Sequence, residues 1–353
     1  MSASARAAHP PAVMITGATG FLGGNLVRRL LAQGASVRVL VRRADQAREL
    51  RACGVAAIQG EITDRAALSE ALGGAAVVYH LAGRLFVPGV SAEEYRRTHI
   101  AGTRALLEVC AQSADFKRLV HCSTTGVLGV TGDQPASEAA PMRPTNVYEA
   151  TKGRAELEVT RAMTAGFPAV IARPGLVYGP GDLHLLAFVQ AILRRRFRPI
   201  GDQPVWLHPI FIDDMTEALL CCGDAPEAVG QCFHFAGTQP VTLSDLARAI
   251  ALAAGIKPAS GYIPLSGARL AAWLGDRLPA GLRESAPLTT SRLEFLTHSR
   301  VYDVSKARRE LGFAAKTDLT TGARLTLAWY SSHGYLAPAL ASARSEACEF
   351  ATT

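Results

Sequence analysis

The chain has 353 residues, 49% hydrophobic, 19% charged and 7% aromatic, with 32 Gly and 19 Pro. That composition excludes a disordered chain, a collagen, a coiled coil and a disulfide scaffold, and leaves room for one large domain or two unequal ones. The net charge of +7 rests on scattered Arg and permits an anionic ligand such as a phosphate-bearing cofactor.

Residues 1–10 lack the apolar core of a secretion signal and read as a flexible lead-in. Val13–Thr16 is an expected strand, followed by a Gly-rich turn and a helix over residues 21–33 that Gly34 stops. Val37–Val41 and Ala56–Gln59 read as strands two and three, with a polar helix between them and another helix starting near Thr63. Residues 77–81, 118–123 and 169–173 repeat the strand theme, with helices expected over 92–112 and 147–165. Strand–helix alternation of this kind specifies an α/β fold, a doubly wound parallel sheet covered by helices on both faces. The expected nucleotide-binding domain is 11–180.

After Pro180 the rhythm changes. Helices are expected over 183–196, 215–222, 243–254 and 267–278, with short strands at 210–212 and Cys232–Phe235. Residues 181–335 are therefore assigned mainly to substrate binding, although some of their strands and helices can return to the first sheet. The Ala/Ser-rich tail, 336–353, reads as flexible. The densest basic cluster, Arg194-Arg195-Arg196 with Arg198, has no recognition motif beside it, so no nucleic-acid partner is expected. Seven unpatterned cysteines suit a reducing cytoplasm. Cys221, Cys222, Cys232 and His234 match no common zinc spacing, so no metal is expected. No apolar run reaches the ~18 residues of a membrane span.

Thr16-Gly17-Ala18-Thr19-Gly20-Phe21-Leu22-Gly23 puts glycines at positions one, four and seven between a strand and a helix. Gly17 allows the tight turn, Gly20 lets backbone approach a pyrophosphate, and Gly23 lets the helix pack on the sheet, with the helix N-terminus supplying N–H groups. A dinucleotide is the expected ligand. About twenty residues on, where a carboxylate would hold the ribose 2′-OH, the second strand ends in Val41-Arg42-Arg43. A guanidinium there can pair with a 2′-phosphate, which favours NADP(H), with NAD(H) the alternative. Glu61 and Ile62 would lie beside the adenine.

Tyr148 and Lys152 stand four apart on an expected helix and so share one face. A neighbouring ammonium favours the ionised phenol and can also hold a ribose. A hydroxyl to orient the substrate oxygen is available where the fifth strand ends, in Ser123-Thr124-Thr125.

At these residues the sequence resembles the extended short-chain dehydrogenase/reductase family, also called the NAD-dependent epimerase/dehydratase family. Thr16–Gly23 resembles its T-G-x-x-G-x-[IL]-G, and Tyr79-His80-Leu81-Ala82-Gly83 its H-x-A-[AG]. Arg173-Pro174-Gly175-Leu176-Val177-Tyr178-Gly179-Pro180 looks like R-P-x-x-x-Y-G-P, and Ser305-Lys306-Ala307-Arg308-Arg309-Glu310-Leu311-Gly312 like S-K-A-x-x-x-L-G. The resemblance implies Tyr148 as acid/base, Lys152 as its partner, and Thr124 as the orienting hydroxyl, with Ser123 as fallback. It also implies cofactor contacts from Gly17, Thr19, Gly20, Phe21, Leu22, Gly23, Arg42, Glu61, Ile62, Leu81, Ala82, Gly83, Tyr148, Lys152 and Pro174. A homodimer through the 92–112 and 147–165 helices is implied as well. His99 departs from the family, which usually carries Asn there; it either braces the site and a proton relay or is simply packed.

The family covers several chemistries. Gly175 stands where sugar-nucleotide enzymes often carry Asn, and Thr125-Gly126 follows Thr124 where dehydratases need an acid. Residues 258–299 look like the 3β-hydroxysteroid dehydrogenase branch, and Leu270, Trp273 and Leu274 either line a greasy pocket or belong to the core. The expected activity is interconversion of a secondary alcohol and a ketone on a bulky, fairly apolar small molecule. The alternative is a sugar-nucleotide 4-epimerase with tightly bound NAD.

Overall fold

The computed structural model describes residues 12–87, 89–279, 286 and 288–336, so the expectations for residues 1–10, Pro287 and the tail beyond 336 lie outside the described residues. The first half runs β1 (Val13–Thr16), α1 (Phe21–Ala32), β2 (Val37–Val41), α2 (Ala44–Ala52), β3 (Ala56–Gln59), α3 (Arg65–Leu72) and β4 (Val77–His80). It continues through α4 (Ala92–Arg96), one π-helical turn (Arg97–Ala101), α5 (Gly102–Ala111), β5 (Arg118–Cys122), β6 (Gly132–Ala136), α6 (Val147–Thr164) and β7 (Ala169–Pro174). The second half holds β8 (Leu176–Tyr178), α7 (Leu186–Leu193), β9 (Trp206–Leu207), β10 (Pro209–Phe211), α8 (Ile212–Asp224), β11 (Cys232–Phe235), β12 (Val241–Thr242), α9 (Leu243–Ala253) and α10 (Leu265–Asp276). Helix Thr290–Thr297, β13 (Arg300–Tyr302), and helices Ser305–Leu311 and Leu319–Ser332 follow.

Seven strands form one parallel sheet in the order β11-β7-β5-β4-β1-β2-β3. The central strands read as near-continuous apolar runs because both faces are covered. Ile15, Val39, Tyr79, Val120, Val170 and Phe233 point into one layer with α1 and α8, while Met14, Leu40, Val78, Leu119 and Ile171 point into the other with α3, α5 and α6. Chain order reverses between β1 and β4, which opens the crevice at the carboxyl ends where ligands of such sheets bind.

The second half is not segregated from the first. β11 is the seventh strand, and α8 packs beside α1, because the alternating Cys232-Phe233-His234-Phe235 gives the sheet two buried aromatics. Arg118 at the start of β5 donates to the Cys222, Gly223 and Ala225 carbonyls, a cation on the carbonyl end of α8. The remaining elements build a lobe. α7, α9 and Leu319–Ser332 share one core, and α10 and Thr290–Thr297 share a smaller one around Ala268, Ala272 and Leu293. The lobe is tied back by β13, which pairs in parallel with β6 in the connection between β5 and α6.

Two expectations change in detail. The 92–112 helix is divided by the π turn, and the polar Gly132-Asp133-Gln134-Pro135-Ala136 is a strand only because β13 reaches it. Cys221 and Cys222 lie in α8, away from any metal-like cluster. Among the described residues, no three His, Cys, Asp or Glu side chains come together as ligands.

β7 is fixed to α6 by a buried ion pair. Arg173 reaches Glu156 at 2.5 Å with both side chains almost fully enclosed, and the Ser123 hydroxyl donates to the same carboxylate. Removing one member of such a pair leaves the other charged and unpaired. Glu156→Ala is expected to cost about 3–5 kcal/mol, read from the urea midpoint at constant slope. A loss below about 1 kcal/mol would show that Arg173 finds other partners.

Candidate active site

The crevice begins at the glycine turn. Gly17 has φ +76°, and a Cβ on it would sit 2.6 Å from the Leu81 carbonyl carbon and 2.7 Å from the Ala82 nitrogen. A Cβ on Gly23 would stand 2.1 Å from the Gly17 oxygen. Both positions therefore admit no side chain. Gly20 starts α1, which has no side-chain cap and no acid in its first turn. Its N–H groups and positive dipole end are left for an anion, so the cradle fits a pyrophosphate. Thr19 and Gly20 are exposed there, and Phe21 and Leu22 are half-buried behind them.

A proton-ordered chain of hydrogen bonds fixes the crevice floor. The Thr103 hydroxyl gives its proton to the His99 carbonyl at 2.6 Å, so it must accept from His80 Nε2–H at 2.9 Å. His80 Nδ1 is then the acceptor, and the Thr16 hydroxyl donates to it at 2.7 Å while accepting from the Ala82 N–H at 3.2 Å. Burial, with Lys152 and His99 as neighbours, pushes the His80 imidazole down to about 3 and keeps it neutral. Leu81, Ala82 and Gly83 thus stand against the turn. Thr16 and Thr103 were not singled out in the sequence; only their pairing with His80 reveals them.

The carboxyl end of β5 and the first turns of α6 bring Thr124, Tyr148 and Lys152 together. Asn146 caps α6 by accepting the Glu149 N–H at 3.0 Å. The Thr124 hydroxyl accepts the Gly126 N–H at 3.0 Å and favours the ionised form of the Tyr148 phenol. Ser123 faces the other way, into Glu156, so Thr124 and not Ser123 adjoins the phenol. Lys152 is buried and donates to the Cys122 carbonyl at 2.6 Å. Burial lowers its ammonium from the usual lysine value, against Cys122 and Glu156, which raise it.

Burial also pushes the Tyr148 phenol well above its usual value, and Thr124 only partly offsets this. Lys152 is not among the main influences on the phenol, and its ammonium donates to the β5 carbonyl. Tyr148 is therefore a protonated phenol at neutral pH.

His99 lies in the π turn with both ring nitrogens engaged. Thr151 gives its hydroxyl proton to the Val147 carbonyl at 2.8 Å, so His99 Nδ1–H donates to it at 2.9 Å. Nε2 accepts the Arg84 N–H at 3.0 Å. Burial and Lys152 push this imidazole down to about 3, and its ring meets Tyr148 edge-on at 5.7 Å. The buried Tyr95 holds the next residues, accepting the Val87 N–H at 2.8 Å and donating to the Leu85 carbonyl at 3.1 Å. Leu85, Phe86 and Val87 are exposed side by side beyond the two clamps.

Arg42 is exposed at the end of β2, where Arg43 is occupied by an ion pair with Asp45. Glu61 is exposed, Ile62 is buried against Gly102, and Pro174 closes β7 beside Phe235.

The profile of the NAD-dependent epimerase/dehydratase family matches residues 13–235. The chain is 33% identical over 310 residues to 4-hydroxy-2-methyl-3-oxo-4-farnesyl-3,4-dihydroquinoline-1-oxide ketoreductase of Stigmatella aurantiaca, covering 86% of this chain and 91% of that one. It is 27% identical over 339 residues to 2-alkyl-3-oxoalkanoate reductase of Shewanella oneidensis, covering 90% and 86%. UDP-glucose 4-epimerase of Thermotoga maritima shares the fold, with a TM-score of 0.72 at 20% identity, covering 91% and 99%. A crevice that fits a dinucleotide and a family match over most of the chain lead to one conclusion: the protein belongs to the NAD-dependent epimerase/dehydratase family and is an NAD(P)-dependent oxidoreductase of the extended short-chain dehydrogenase/reductase type.

Proposed function

We propose that the protein reduces a ketone to a secondary alcohol, reversibly, on a bulky and largely apolar substrate, with NADP(H) preferred over NAD(H). The observation that carries this reading is the placement of Tyr148 and Lys152 one turn apart at the start of α6, against Thr124 at the carboxyl end of β5. A bound nicotinamide supplies the hydride. Thr124 orients the substrate oxygen by hydrogen bonding, and Tyr148 Oη transfers its proton to that oxygen. Lys152 holds the nicotinamide ribose once its ammonium swings from the Cys122 carbonyl. Gly17, Thr19, Gly20, Phe21, Leu22 and Gly23 cradle the pyrophosphate, and Glu61 and Ile62 flank the adenine. Leu81, Ala82, Gly83 and Pro174 line the nicotinamide side. Arg42, with no ion-pair partner among the described residues, meets the 2′-phosphate.

Substrate class follows from two lines of support. Leu85, Phe86 and Val87 form an exposed apolar run on the loop that His99 and Tyr95 hold, and the two relatives are named for farnesylated and alkylated keto substrates. Residues 181–335 supply most of the remaining substrate contacts in this reading. The protein acts as a homodimer through α4–α5 and α6, in the cytoplasm, where its cysteines stay reduced; the six described ones are free thiols. No helix among the described residues is long and apolar enough to cross a membrane.

The reading is tested by titrating purified protein with NADPH and NADH after checking for copurified cofactor, then assaying apolar ketones. Empty protein that prefers NADPH is expected; NAD that resists dialysis, with no net cofactor turnover, would favour the sugar-nucleotide 4-epimerase instead. Tyr148→Phe should lower ketone reduction by roughly 10²–10⁴-fold and leave cofactor affinity intact. Retained turnover would remove Tyr148 from proton transfer.

Arg42→Ala is expected to weaken NADPH by about 1–3 kcal/mol and NADH hardly at all. Equal losses for both would show that Arg42 does not read the 2′-phosphate. His99→Ala releases the Arg84 end of that apolar run, so KM for the ketone should rise on the order of tenfold while kcat stays within a few-fold. A fall in kcat at constant KM would instead place His99 on the proton path.

A further inference from the structure

The outer lobe carries an apolar surface that the proposed reaction does not use. α10 turns Ala268, Ala272 and Gly275 inward, and a Cβ on Gly275 would stand 2.1 Å from the Leu288 carbonyl, so this side is packed tightly. The opposite side presents Leu270, Trp273 and Leu274 at 60%, 49% and 53% exposure, with Leu278 after them. The sequence reading had these side chains lining a pocket or a core; they are in neither. Tyr262 and Ile263, just before the helix, are exposed as well.

The exposed charged residues of α10 and its C-cap are both basic. Arg269 and Arg277 share the outer side of α10, and the Arg277 guanidinium lies 3.5 Å above the Trp273 ring. The single acid of the helix, Asp276, is half-buried and holds the Thr290 amide and hydroxyl. Ile263 is bridged to Ile200, and Arg198 donates to the Ser260 carbonyl at 3.1 Å. The exposed run Arg194, Arg195, Arg196 and Arg198 lies on the segment these contacts join to the one leading into α10, with Asp202 on the same segment.

Leucine and tryptophan on one side of a helix, flanked by arginines, fit the boundary between acyl chains and anionic headgroups. Arginine stems can lie along the apolar layer while the guanidinium groups reach phosphate. A second copy of the chain would bring two arginine-flanked faces together, which like charges oppose. We propose that this face docks on the surface of an anionic phospholipid bilayer, with Leu270, Trp273 and Leu274 entering the acyl boundary.

Thr290–Thr297, packed under α10, leads into β13, and β13 pairs with β6 between Thr124 and Tyr148. The docking proposal does not depend on the reaction proposed above, since vesicle binding is read without turnover.

The test is cosedimentation of the full chain with phosphatidylglycerol/phosphatidylcholine vesicles and with pure phosphatidylcholine vesicles, at low and high salt. The wild type should bind the anionic vesicles at least about tenfold more tightly, and salt should weaken this. The double variant Leu270→Glu/Leu274→Glu should lose binding at an unchanged thermal midpoint. The triple variant Arg194→Gln/Arg195→Gln/Arg196→Gln should lose on the order of fivefold per charge on anionic vesicles alone. Three results would each overturn the proposal: no wild-type binding to either vesicle, binding unchanged in both variants, or a wild-type dimer that Leu270→Glu/Leu274→Glu converts to monomer.

Discussion

The site depends on how closely two strand ends approach. β1 and β4 are neighbours at the point where strand order reverses, and Gly17 rests against the Leu81 carbonyl with no space for a side chain. Hydrogen bonds from Thr16 and Ala82 through His80 to Thr103 hold that approach. Thr103 passes the constraint to the His99 carbonyl in the π turn, and His99 passes it to α6 through Thr151. The phosphate cradle and the Tyr148 helix are thus parts of one bonded frame. Its two histidines are neutral across the working pH range, so the frame carries no titrating charge near pH 7.

Burial inside this frame favours the neutral forms of its titratable side chains. Desolvation dominates at both Tyr148 and Lys152, raising one group and lowering the other, and each shift disfavours the charged form. A protonated phenol suits delivery to a carbonyl oxygen. Oxidation of an alcohol needs the phenolate, and that requires the Lys152 ammonium to leave Cys122 and face the phenol. Binding a ribose between them is one way to draw it there. The same burial that positions the acid therefore makes its conjugate base depend on an occupied crevice.

Much of this was legible in the sequence because local rules govern it. The glycine spacing after a four-residue strand and the i,i+4 placement of Tyr148 and Lys152 are short-range patterns, and they define the strand end and the helix face directly. Thr124 was distinguishable from Ser123 only by spacing; in three dimensions the difference is that Glu156 and Arg173 claim Ser123. Long-range partners had no local signature. β6 is polar and takes its conformation from β13, well over a hundred residues later, and β11 joins the first sheet from inside the second half. The outward turn of Trp273 was equally hidden, since an apolar helix reads alike whether it covers a core or a lipid surface.

His99 sits inside the π turn. An asparagine side chain carries its donor and acceptor together at one end, whereas an imidazole carries them on opposite sides of a ring. Here the ring bonds Thr151 on α6 through one nitrogen and the Arg84 N–H through the other. The wider turn covers Arg97–Ala101. Gly102 then brings the helix back against Ile62, where a Cβ would stand 2.8 Å from the isoleucine side chain. With Tyr95 holding the next two residues of the same loop, the exchange of amide for imidazole trades a compact brace for one that spans the crevice. Its consequence is a backbone held beneath Leu85, Phe86 and Val87, whose three apolar side chains stand exposed.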